Sequence, residues 1–277
     1  MRSLSAELLI MRKRTSTWIL MGVWVFLGLL FAYLLPYLSY RGPAGGPVQV
    51  SLETLLPQDL AANLLGGFPF FGGVFALMLG VLTAGSDYGW DTLKTVLVQR
   101  PSRMRVFGAK LAALAAGLVP FVVAIFVGGA VASVLIAGAE DAAVHWPSAW
   151  EIVRGLAAGW FVLATWAALG VALAVASRGT ALAIGLGIVY ALVIEGLLST
   201  LASEVAWLDG LVEYFLRANA YSLVTAIGVP AESLGSNGPG SFFGPFVGAG
   251  QAILVMSLYI ACFVGLSAAL LRRRDVS

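Results

Sequence analysis

The sequence predicts an all-α, polytopic membrane protein with six transmembrane helices and both termini in the cytoplasm. Of its 277 residues, 60% are hydrophobic and 11% are charged, whereas soluble proteins carry roughly 25% charged residues. Six apolar runs reach about 20 residues, the length that a helix needs to cross a bilayer. With the N-terminus inside, all but three of the sixteen lysines and arginines lie on the cytoplasmic face, the exceptions being Arg41, Arg154 and Arg217. Because short basic loops are retained inside, this asymmetry predicts the orientation.

Residues 1–16 form the first predicted element, an amphipathic helix that lies along the cytoplasmic membrane surface. Leu4, Leu8 and Met11 recur at i, i+4 and i+7, which places them on one helical face. The basic residues at 12–14 follow and would anchor the helix at the lipid headgroups. The alternative is a frayed tail whose charges serve only to orient the chain.

The predicted spans cover residues 18–38, 66–84, 106–137, 152–176, 180–201 and 246–271. Together with their connections they predict a single transmembrane domain over residues 1–277. The third run is long for one crossing, so either Pro120 kinks it or its first turns project into the cytoplasm. Residues 177–179 separate the fourth and fifth runs and predict a tight helical hairpin.

The two longer connections, residues 39–65 and 202–245, fall on the outer face. Within the first, residues 51–65 have the pattern of a short amphipathic helix. Within the second, residues 203–228 are also typical of a helix, with Trp207, Leu211, Tyr214 and Phe215 at helical spacing. Such a segment either lies on or dips into the outer leaflet, or is an external loop packed on the spans.

Several kinds of chemistry are missing from the chain. No G-x-x-x-x-G-K-[ST] motif occurs, so no phosphate-binding P-loop and no ATPase domain is predicted. The single histidine, His145, lies in a short outer loop, which excludes histidine-based metal clusters and catalytic triads. We therefore expect no catalytic residues, no metal site and no cofactor in this chain, and no nucleic acid as partner.

One carboxylate, Glu195, lies inside a predicted span. A charge in the membrane interior costs about 2.5–3.5 kcal/mol on insertion scales, so it is a candidate gate or substrate contact. The alternatives are a structural hydrogen bond to a neighbouring helix, or a span that ends earlier and leaves Glu195 in water. The small residues Ala181 and Gly185, and the group Ala168, Gly170 and Ala172, predict helix-packing faces.

A charged insert at residues 87–105 separates the second and third spans. Trp90, Leu93 and Leu97 share one face of a short predicted helix, with Asp91 and Thr95 opposite. Since charged side chains and an amphipathic segment are not stable in hydrocarbon, we expect the insert to lie in water. It either rests on headgroups as an anchor or docks into a groove of a soluble partner.

The insert resembles that of the type-2 ABC exporter permeases. The resemblance rests on Asp87, Thr92-Leu93, Val96-Leu97, Arg100-Pro101-Ser102-Arg103 and Lys110, in that order between spans two and three. The family layout also has six spans, cytoplasmic termini and an N-terminal amphipathic helix. Two departures are Asp87 where the family more often has Glu, and Asp91-Thr92 where it more often has Gly-Thr. These two departures affect the contacts that the insert would make with a soluble partner.

The resemblance implies a permease subunit of an ATP-driven exporter in a plasma membrane, and the composition, biased toward Ala, Gly, Val and Arg, suggests a bacterium. A separate ATP-binding subunit, in two copies, would bind ATP and Mg and hydrolyse the ATP, so the chain itself would not be an enzyme. A second permease, identical or similar, would complete a dimer. The residues implied in coupling to the ATPase are Asp87, Trp90, Asp91, Thr92, Leu93, Leu97, Arg100 and Arg103. The alternatives are a non-transporting membrane scaffold or sensor and, disfavoured by the single buried carboxylate, an ion-coupled carrier.

Overall fold

A computed structural model describes residues 2–42, 50–89, 103–202, 210–234 and 245–273. Within these ranges all regular secondary structure is helical, which confirms the predicted fold class. Five helices are long and apolar enough to cross a membrane: Thr15–Arg41, Phe68–Gly85, Met104–Ala139, Ala149–Ser177 and Ala249–Arg273. They coincide with five of the six predicted spans and are called spans 1, 2, 3, 4 and 6.

The fifth predicted span consists of three contiguous helical pieces, together called span 5. Helix Thr180–Val189 runs into a π turn at Tyr190–Ile194, which runs into helix Glu195–Ala202. The pieces contain 10, 5 and 8 residues, which at 1.5 Å per residue corresponds to about 34 Å. That length suffices for the hydrocarbon core of a bilayer.

The elements outside the spans are short. The N-terminal helix is Arg2–Lys13. The two longer connections, which are predicted to lie on the outer face, carry helices Leu60–Leu65, Leu216–Thr225 and Ala231–Leu234. The predicted helix over residues 51–65 is wrong in its first half, which forms separate 3-10 turns at Leu52–Leu55 and Pro57–Asp59. The residue before a proline is driven out of the helical region, and Leu56 is accordingly extended at φ −82° and ψ 161°.

Span 3 is longer than one bilayer crossing requires. Helix Arg103–Ala139 contains 37 residues and continues unbroken through Pro120, so it is about 55 Å long. Of the two expectations for this run, the structure therefore favours a projecting start over a break. The hairpin at residues 177–179 is confirmed, because helix Ala149–Ser177 ends at Arg178 in the left-handed conformation, at φ 54° and ψ 31°.

Spans 2 and 4 form the centre of the fold. In their most apolar windows 72% and 78% of residues are buried, against 11% and 17% for spans 1 and 6. The contact is close because glycines face it: a Cβ on Gly80 would lie 2.1 Å from the Ala167 carbonyl oxygen, and one on Gly170 would lie 2.2 Å from that of Leu77. The predicted packing face at Gly170 is thus in contact, whereas a Cβ on Gly185 would meet nothing within 4 Å.

A polar cluster joins spans 1 and 3 at the predicted outer end. The Glu140 carboxylate accepts hydrogen bonds from the Tyr37 hydroxyl at 2.7 Å and from Arg41 Nε at 2.7 Å, and it forms a salt bridge to Arg41 Nη2 at 2.6 Å. These hydrogen bonds from Tyr37 and Arg41 lower the pKa of Glu140 below its ordinary value. The cluster therefore favours the ionised carboxylate.

Candidate functional site

Most of the residues predicted to couple to an ATPase lie outside the described part of the chain: Trp90, Asp91, Thr92, Leu93, Leu97 and Arg100. Asp87 belongs to the last turn of helix Gly73–Gly89, and Arg103 opens helix Arg103–Ala139. The coupling role of these residues stays a prediction. The described structure does give the two helices that carry the ends of the insert, and these helices pack against each other.

The N-terminal helix contacts one of those helices, and Arg14, the residue that follows it, contacts the other. The Glu7 carboxylate forms a salt bridge to the Lys110 ammonium at 3.2 Å, with side chains that are 15% and 14% exposed. At the end of the same element, Arg14 Nη1 donates to the Leu82 carbonyl oxygen of span 2 at 2.7 Å. Lys110, which the family resemblance placed at the start of span 3, is thus bound by this helix.

A second candidate site surrounds Glu195, which is only 1% exposed. Its Oε1 accepts hydrogen bonds from the Tyr190 hydroxyl and from the Leu216 backbone N–H at 3.0 Å. Its Oε2 accepts from the Arg217 backbone N–H at 3.0 Å. Both carboxylate oxygens therefore have donors, two of which belong to a segment more than twenty residues further along the chain.

The π turn of span 5 accounts for the Tyr190 contact. In an α-helix, residues five apart point about 140° away from each other, because each residue turns the helix by about 100°. The wider turn at Tyr190–Ile194 brings position i+5 much closer to the direction of position i. Tyr190 can therefore donate to Glu195, five residues later in its own span.

The Leu216 and Arg217 contacts make Glu195 the cap of another helix. Leu216–Thr225 begins after Phe215, which provides no side-chain cap of its own. The first N–H groups of a helix have no intrahelical acceptors and carry a partial positive charge. A buried carboxylate at this end satisfies two of those groups and interacts favourably with the helix dipole. Glu195 thus links span 5 to the outer segment.

Arg217 supplies a buried positive charge near the carboxylate. The residue is 6% exposed, its Nη1 donates to the Ala191 carbonyl oxygen at 3.2 Å, and it interacts electrostatically with Glu195. Its guanidinium lies 5.4 Å from the centre of the Phe70 ring and 5.8 Å from that of Tyr221, within the range of cation–π attraction. Two opposite charges therefore compensate each other in an apolar surrounding.

The capped helix is enclosed by the protein. Every residue from Leu216 to Val224 is buried, and the helix packs against spans 4 and 6 and the π turn Phe68–Gly72. Ser222 Oγ accepts a hydrogen bond from the Val247 N–H at 3.0 Å, just before span 6. Of the two alternatives for this outer segment, the structure favours a segment packed on the spans. Leu211 and Tyr214, immediately before it, are about half exposed.

The sequence indicates Glu195 but not its partners. Its charge distribution places Arg217 only among three cations on the outer face, whereas in the structure Arg217 is buried near the carboxylate. The signal that could have found it is charge balance, since a buried carboxylate calls for a buried cation or several hydrogen-bond donors. The role of Glu195 as a gate or substrate contact stays a prediction, because its described contacts are with the protein itself.

The geometry defines a class of protein: a multi-pass helical membrane protein with a 37-residue third helix and a buried segment capped by a carboxylate of span 5. The chain belongs to the ABC-2 transporter family, because the family model described as "ABC-2 family transporter protein" matches residues 3–194. It is accordingly a membrane permease component of an ABC transporter, and permeases of this family generally pair with an ATP-binding subunit. No curated protein matches the chain.

Proposed function

We propose that this chain is the membrane-spanning permease subunit of an ATP-driven exporter, which forms the translocation path and couples through residues 87–105 to a separate ATP-binding subunit. ATP and Mg would be bound, and ATP hydrolysed, by two copies of that partner. A second permease copy, identical or similar, would complete the transporter. The bias of the composition toward Ala, Gly, Val and Arg favours a bacterial origin, and the exporter would lie in the plasma membrane.

The observation that supports coupling is the arrangement of the two helices at the ends of the insert. Helix Gly73–Gly89 leads into it, and the 37-residue helix Arg103–Ala139 leads out of it. A continuous helix of about 55 Å behaves as one stiff body. Closure of two ATPases would press on residues 90–97, and span 3 would carry that displacement into the membrane.

The outer segment is the part that such a displacement would reach. Span 3 packs against span 4, span 4 against span 6, and span 6 against helix Leu216–Thr225. Glu195 ties the start of that helix to span 5. A relative movement of spans 5 and 6 would therefore strain the Glu195 contacts, which is the sense in which Glu195 would act at an outer gate.

The first test is a mild-detergent pull-down of the tagged chain from its host, followed by mass spectrometry and a vanadate-sensitive ATPase assay. A stoichiometric P-loop protein with ATPase activity is the expected result. If no ATPase is recovered, even after cross-linking through residues 87–105, the exporter proposal fails. A membrane scaffold or an ion-coupled carrier then becomes the working hypothesis.

The second test is charge reversal in the insert. Asp91→Lys and Arg103→Glu should weaken ATPase recovery and uncouple hydrolysis from transport while the permease still folds. Glu53→Lys is the matched control, because Glu53 is an exposed carboxylate on the predicted outer face. Wild-type coupling in both insert variants would contradict the assignment of this segment.

A further inference from the structure

The N-terminal helix contacts span 3 at two levels. Glu7 forms the salt bridge with Lys110, and both side chains are about 85% removed from solvent. One turn further along, Met11 is buried and fills the space left by Gly117, where a Cβ would lie 2.3 Å from Met11 Cε. One face of the N-terminal helix is thus held against span 3 by a salt bridge in one turn and by close packing in the next turn.

The end of the helix is fixed to span 2. Arg14 interrupts the helix with an extended backbone, at φ −77° and ψ 117°, and its guanidinium reaches the Leu82 carbonyl oxygen at 2.7 Å. The corner is closed by Trp18, whose indole N–H donates to the Arg12 carbonyl oxygen at 2.7 Å. Because span 1 starts at this corner, the N-terminal helix, span 1 and span 2 are joined there.

The two attachment points lie close to the ends of the insert. Leu82 precedes Asp87 by five residues and Lys110 follows Arg103 by seven, which corresponds to about 8 and 10 Å along the respective helices. A displacement that separates or tilts these two helices must therefore move the N-terminal helix with them or break its contacts.

We propose that helix Arg2–Lys13 and the corner at Arg14 form a strap that holds the helices on either side of the insert at a fixed spacing, with Glu7, Lys110 and Arg14 as its positioning residues. This inference rests on the proposed function for its role in coupling. The strap makes the two helices and span 1 respond as one unit when the insert is pushed. It also explains why the helix carries one carboxylate, Glu7, among basic residues: Glu7 faces Lys110.

The docking of the strap is tested by a charge swap. In a Cys262→Ala background, spin labels at Leu9→Cys and Gly108→Cys report the distance from strap to span 3, since Leu9 is half exposed and a Cβ on Gly108 meets no neighbour. In the wild type we expect one narrow distribution of distances between the two labels. Glu7→Lys and Lys110→Glu should each broaden that distribution and raise the amide exchange rate of residues 2–13 by roughly ten- to a hundredfold. The double variant E7K/K110E should restore both.

The coupling role is tested on the complex with its copurified ATPase. Vanadate trapping should change amide exchange in helix Leu216–Thr225 of the wild type. In either single variant the ATPase should remain bound but this change should be lost, and it should return in the double variant. A strap that stays docked in the single variants, or that is released without loss of the response, overturns the proposal. If the wild type carries no ATPase, the proposed function itself fails, and with it the coupling role of the strap.

A variant that leaves all charges in place guards against misfolding of the reversals. Gly117→Leu displaces Met11 and should release the strap as the single reversals do. Gly22→Leu is the matched control, because a Cβ on Gly22 meets nothing within 4 Å. Equal docking and equal response in these two variants would contradict the strap independently of the ion pair.

Discussion

Replacement of Glu195 by Gln gives the sharpest test of the buried site, because it changes one atom and one charge. The carboxylate accepts from Tyr190 and Leu216 at Oε1 and from Arg217 at Oε2. The oxygen of a glutamine side chain is most stable at the Oε1 position, where the Tyr190 hydroxyl and the Leu216 N–H both donate. Its NH2 group then faces the Arg217 N–H, so that two donors oppose each other.

The magnitude follows from the groups left without partners. A buried N–H that loses its acceptor costs about 1–3 kcal/mol, and removal of one charge of a buried pair costs about 3–5 kcal/mol when the other stays unpaired. Arg217 keeps its bond to Ala191 and its two aromatic neighbours. We therefore expect Glu195→Gln to lower the free energy of unfolding by about 2–4 kcal/mol. The two costs overlap, and the cost of the unpaired charge is only partly incurred.

Two assays report this loss. The melting temperature in detergent, compared at one scan rate, should fall by roughly 4–8 °C. Amide exchange at the start of helix Leu216–Thr225 should rise about 30- to 700-fold, since each 1.4 kcal/mol is a factor of ten. Glu213→Gln is the matched control, because Glu213 lies just before the helix but does not cap it.

Unchanged melting and exchange in Glu195→Gln would refute the capping argument. The double variant with Arg217→Gln adds a second check, since loss of both charges should cost less than the sum of the single losses. At a temperature where Glu195→Gln is folded, unchanged transport would remove the predicted gate or substrate role, even if the stability effect is present.

Two further predictions concern helix packing and pH. Gly170→Ala should destabilise the fold by about 1–3 kcal/mol because its Cβ meets a backbone carbonyl of span 2, whereas Gly185→Ala should not; equal melting temperatures would contradict that contact. The pKa of Glu140 is lowered from its ordinary value of 4.5 because Tyr37 and Arg41 donate to the carboxylate. The ionised carboxylate therefore stabilises the folded state fully above pH 4.5, and this contribution is lost as the pH falls through the lowered pKa. Wild type and Glu140→Gln should therefore differ in melting temperature at pH 7 and converge in acid; a difference that persists there would count against the cluster.

The sequence was informative wherever the determining pattern is local. Apolar runs gave the positions of the long helices, and Ser177-Arg178-Gly179 gave the hairpin between spans 4 and 5. The prediction of one helix over residues 51–65 is wrong in its first half, where Pro57 outweighs the helical spacing of the leucines. It identified Glu195 as an unusual residue because its cost in the membrane follows from its type and position alone.

The sequence by itself determined the fold class, the approximate position of each span and, through the insert, the resemblance to the ABC exporter permeases, because apolar runs and charge distribution are read from neighbouring residues. Only the tertiary structure decided which helices touch and which charges meet. An apolar side chain in a membrane is surrounded equally well by lipid tails or by another helix, so hydrophobicity alone does not select which helices pack together. The selection comes instead from close contacts, such as that of Gly170 in span 4 with Leu77 in span 2. It also comes from hydrogen bonds between distant residues, such as Glu195 with Arg217 and Glu7 with Lys110.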